Sequence, residues 1–82
     1  MLYLVYAGAD VARSTDGPWE EIRPVADRLV LVHSDASRSA VYHALKDALP
    51  GGTALVVTAL VEVPKMKGIA PGALAWARRH LS

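Results

Sequence analysis

The side chains of this chain best suited to chemistry lie in three polar stretches. The densest is His33-Ser34-Asp35-Ala36-Ser37-Arg38-Ser39, which sets an imidazole, hydroxyls, a carboxylate and a guanidinium almost side by side. The second is Ala9 to Asp16, with Asp10, Arg13, Ser14 and Thr15, and the third is Pro64 to Gly68, with Lys65 and Lys67. Hydroxyls, the free amides of a helix's first turn and cations together can hold a phosphate or carboxylate, Arg through its planar fork and Lys as a point charge. The anion-binding set expected on this basis is Arg13, Ser34, Asp35, Ser37, Arg38, Ser39, Lys65 and Lys67. The same residue types also cap helices and solvate loops with no ligand at all.

Other chemistries draw on the same residues. His33 could act as a base toward Ser37 or a bound substrate, although Asp35 is too near in sequence to orient it in an obvious way. Asp10 and Asp35 could hold Mg²⁺ beside a phosphate. No motif calls for a cofactor: there is no dinucleotide fingerprint, no phosphate-binding P-loop and no nucleophile elbow around any of the serines. Zinc has no support either, because cysteine is absent and His33, His43 and His80 lack ligand spacing. Arg78-Arg79-His80 with Lys65 and Lys67, and Trp19 or Trp76 to stack bases, is the nucleic-acid candidate. A net charge of +1 is low for a dedicated binder.

Apolar periodicity gives the elements that would position these groups. Leu2 to Ala7 is an unbroken apolar and aromatic run, read as a strand covered on both faces and stopped by Gly8. Asp16-Gly17-Pro18 resembles a helix start, so Trp19 to Arg23 is expected as a short helix limited or kinked by Pro24. Leu29 to Val32 is a second strand. The pairs Ala40/Val41, Ala44/Leu45 and Ala48/Leu49 mark one face of a helix that Ser34 or Asp35 could cap. After Pro50-Gly51-Gly52, the stretch Thr53 to Val63 is a third strand whose end leaves the sheet where Glu62 intrudes. Ala73 to about Leu81 is a final helix with cations in its last turn.

Strand and helix therefore alternate, and the expected fold is α/β: a small three-stranded, mainly parallel sheet in β-α-β-α-β-α order, flanked by helices. Parallel strands would gather the three polar loops on one rim, where open α/β sheets bind ligands. The weak link is the first crossover. Without a helix at Trp19, strands one and two pair antiparallel, giving an α+β sandwich with both later helices on one face, and Asp10 and Arg13 leave from the end opposite His33.

A chain of 82 residues is expected to form one compact domain of marginal stability. With 52% hydrophobic residues and two open sheet edges, it is expected to self-associate, most simply as a dimer. Charge is uneven: residues 1 to 35 carry six acids and three bases, and residues 36 to 82 carry six bases and two acids. That asymmetry suits either an anionic partner or self-association. The apolar runs are too short for a signal peptide or a bilayer span, so a cytoplasmic protein without membrane contact is expected. The leading functional expectation is a self-associating binding or regulatory module that recognises an anionic group at the strand-end loops. The alternatives are a compact dimeric hydrolase or phosphoryl-transfer enzyme using His33, Asp35 and Asp10, and a purely structural protein-protein interaction module.

Overall fold

Leu2–Ala7 forms strand β1; Tyr3, Val5 and Ala7 are buried on one face of the sheet and Leu2 on the other, where Leu4 is half-buried and Tyr6 exposed, so the strand is only partly covered on its second face. In the computed structural model, which describes residues 1–81, β1 is followed by β2 (Glu21–Ala26), β3 (Leu29–His33), helix α1 (Arg38–Ala48), β4 (Leu55–Ala59) and helix α2 (Ala73–His80). The sheet is four-stranded in the order β2-β3-β1-β4, and every neighbouring pair is antiparallel.

The expected three-stranded, mainly parallel α/β sheet is thus corrected to an antiparallel α+β fold. The cause lies between Trp19 and Ala26. Ile22 and Val25 are three residues apart, which in sequence imitates one face of a helix. They are instead residues of one strand, in which an odd separation sets side chains on opposite faces, so Ile22 points into the core beneath α1 and Val25, the residue bulged out between Pro24 and Ala26, into the core beneath α2. Pro24 is tolerated because β2 is an edge strand. With a hairpin in place of a crossover helix, β3 must run opposite to β2, and it also runs opposite to β1.

Strand alternation builds two cores. On one face Tyr3, Val5, Ile22, Val30 and Val32 meet Val41 and Leu45 of α1. On the other, Leu2, Val25 and Leu31 meet Trp76 and Ala77 of α2, with Val63, Met66 and Ile69 of the preceding strap packed alongside. The helices therefore lie on opposite faces, which also differs from the sandwich with both helices on one side. Ser37, rather than Ser34 or Asp35, caps α1, its Oγ accepting from the Ala40 amide at 3.1 Å.

The β2–β3 hairpin turns at Asp27-Arg28, and Arg28 has φ 58°, the left-handed region that suits glycine. Arg28→Gly is expected to raise stability by about 1 kcal/mol and Arg28→Val to lower it. Urea denaturation of the two variants checks the pair of signs.

Candidate functional site

His33 closes β3 at the end of the sheet where Leu2, Glu21 and Ala59 also lie. Its Nδ1 is 2.8 Å from Glu20 Oε2, and its ring lies 4.4 Å from that of His80 at the end of α2. Trp76 packs against His80 and donates its indole N–H to Glu21 Oε1 at 3.0 Å, while Arg13 reaches Glu21 Oε2 at 3.7 Å. These contacts fasten α2 to the edge of β2 and the end of β3. His33 and Glu20 pair an imidazole with a carboxylate, and the adjacent Ser34 hydroxyl is buried and bonded to the Pro18 carbonyl. Among the described residues no group of three or more metal-ligating side chains converges.

The serines near His33 are occupied. Ser34 is fully buried; its hydroxyl donates to the Pro18 carbonyl and accepts from the Ala36 amide at 2.9 Å, tying the β1–β2 loop to the entry of α1. Tyr3 adds a second tie by donating to the Ala36 carbonyl at 2.6 Å. Ser37 caps α1, and Asp35, Arg38 and Ser39 are exposed around the same turn. Arg13 and Asp10 both depart from the far end of β1, but only Arg13 returns: the loop folds back, the Trp19 indole bonds Thr15 O at 2.8 Å, and the Glu20 amide bonds His33 O at 2.8 Å. Lys65 and Lys67 stand on the strap that crosses the α2 face, the opposite side of the sheet from α1. The structure therefore brings Ser34, Asp35, Ser37, Arg38 and Ser39 together, sets Arg13 beside Glu21, and places the two lysines elsewhere.

A different feature stands out at β4. The Gly8 amide bonds Ala54 O at 2.8 Å and the Leu60 amide bonds Leu2 O at 2.9 Å, so the even-numbered residues of this segment face β1. Leu55, Val57 and Ala59 consequently turn their N–H and C=O groups to the open edge, and no partner for them occurs among the described residues. No charge and no proline interrupts Thr53 to Val61. The face opposite α1 is bare here as well, with Val56 58%, Tyr6 44% and Val61 94% exposed. Beside the start of β4 lies a groove of ≈ 370 Å³ lined by Tyr42, Lys46, Leu49, Thr53 and Leu55, among others.

The sequence singled out neither Glu20 nor Trp76 as a partner for His33, because both contacts join separate elements of the chain. The signal for β4 was present in its unguarded composition. Comparison of the chain with protein-family models, curated proteins and solved structures finds no match.

Ser34→Ala removes a donor and an acceptor from a buried site and is expected to cost about 1–3 kcal/mol. A lower urea midpoint with an unchanged denaturant slope is the expected readout.

Proposed function

We infer that this protein is a structural protein-protein interaction module that works by accepting a β-strand along the free edge of β4. The reading is carried by the contrast between the two edges of one sheet. Natural sheets blunt their edges with charge, proline, bulges or covering chain, since an open edge templates pairing with another chain. The β2 edge has all of these: Glu21 and Arg23, Pro24, the Pro24/Ala26 bulge, and the strap, whose Ala70 amide bonds Val25 O at 2.8 Å. The β4 edge has none of them, and its outward backbone groups are ready for the main-chain bonds that give strand-addition complexes their affinity.

Apolar side chains that a solitary protein would gain nothing by exposing flank the same edge: Val56 and Tyr6 on one face, and Tyr42 on α1 at the groove. An enzyme reading through His33 finds less support, since the hydroxyls of Ser34 and Ser37 are engaged by the Pro18 carbonyl and by the cap of α1. No helix among the described residues is long and apolar enough to cross a membrane.

A photo-crosslinking amino acid at Thr58, exposed on β4, is expected to give a discrete adduct in cells making the protein, identified by peptide mass. The same probe at Ala26, exposed on β2, is expected to give none. Equal labelling at both edges, or no adduct at Thr58, contradicts the reading.

A further inference from the structure

The geometry points to β4 of a second copy of this chain as the strand that β4 accepts, antiparallel and centred on Val57. This rests on the docking reading above and names its partner. The stretch Thr53 to Val61, TALVVTALV, matches itself in that register. Leu55 falls opposite Ala59 and Ala54 opposite Leu60, large against small, while Val56 meets the isosteric Thr58.

The backbone agrees with the side chains. Leu55, Val57 and Ala59 are the residues whose N–H and C=O groups face outward, and the two-fold sets Val57 against Val57 and Leu55 against Ala59. Each is a hydrogen-bonded pair that exchanges both its bonds, about six in all, so no outward group of β4 is left over. A register displaced by one residue would set these groups against ones already bonded to β1. Absence of charge means that no like-charged pair meets at the axis, while an acidic or basic strand from another protein would find no opposite charge on β4 itself.

The same register sets Val56, 58% exposed on the free protein, beside Thr58 of the second copy on the face opposite α1. Because the two-fold stands perpendicular to the sheet, the two four-stranded sheets become one, with both α1 helices on a common face.

Sedimentation equilibrium of the full chain is expected to give twice the chain mass at micromolar concentration. Thr58→Lys is expected to give the monomer with an unchanged circular dichroism spectrum, and Val56→Asp to weaken association about tenfold or more. Since the chain has no cysteine, Val57→Cys alone reports the register: it is expected to crosslink the two copies on oxidation, and Thr58→Cys, displaced from its own symmetry mate, is not. A dimer that survives Thr58→Lys, or that crosslinks at residue 58 but not at 57, overturns the proposed pairing. A monomer at every concentration overturns it too; if the Thr58 photoprobe then captures a different, identified protein, the docking edge stands and only its occupant changes, and if it captures nothing both readings fall.

Discussion

Double commitment of β1 governs this molecule. Its odd-numbered residues pair with β3, as the Ala7–Arg28 and Met1–Ser34 backbone bonds show, and its even-numbered residues pair with β4 through Gly8–Ala54 and Leu2–Leu60. The same alternation sends Tyr3 and Val5 into the core under α1 and Leu2 into the core under α2. A strand used on both edges and both faces leaves its neighbours little freedom. It fixes the direction of β3 and β4, puts the helices on opposite sides, and decides which backbone groups of β4 remain outside.

Much of this was legible in the residues. The runs at Leu2 to Ala7 and Leu29 to Val32 are strands, the stretch Thr53 to Val63 holds a shorter strand than expected, Leu55–Ala59, and the paired apolar positions of α1 and the stretch from Ala73 form helices, the second burying Ala73, Trp76 and Ala77. What failed was β2, and the sheet's direction failed with it. Asp16-Gly17-Pro18 followed by two acids has the chemistry of a helix start, and Ile22 and Val25, which face opposite sides of β2, imitate one face of a helix by their three-residue spacing. Local propensity had no means of registering that Trp19 would pack inward with its indole on Thr15 O while the chain beyond it extended along β3. Reversing one strand was enough to turn a parallel sheet into an antiparallel one.

The polar residues divide in the same way. A side-chain cap for α1 in this turn follows from local rules, but it is Ser37 and not the expected Ser34 or Asp35 that supplies it. Burial of Ser34 does not follow from such rules, because its acceptor at Pro18 is delivered by a loop that leaves from the other end of the sheet. His33 meeting His80 and Trp76 depends on how α2 settles against the sheet, to which neither segment's own sequence speaks. The lysines are separated from α1 by the sheet itself, since the strap that carries them crosses the opposite face.

The two edges of the sheet express opposite physical solutions to one problem. Along β2 the strap, the bulge and proline close the ladder; along β4 an uncharged run leaves it open, with parity set by β1. Amide hydrogen exchange across a concentration series reads this asymmetry residue by residue. The amides of Val56 and Thr58, bonded to β1, should be protected at every dilution, while those of Leu55, Val57 and Ala59 should exchange freely when dilute and slow as concentration rises. Fast exchange of Leu55, Val57 and Ala59 throughout the series, with Val56 and Thr58 protected, would show that β4 meets no second β4 and contradict the central claim.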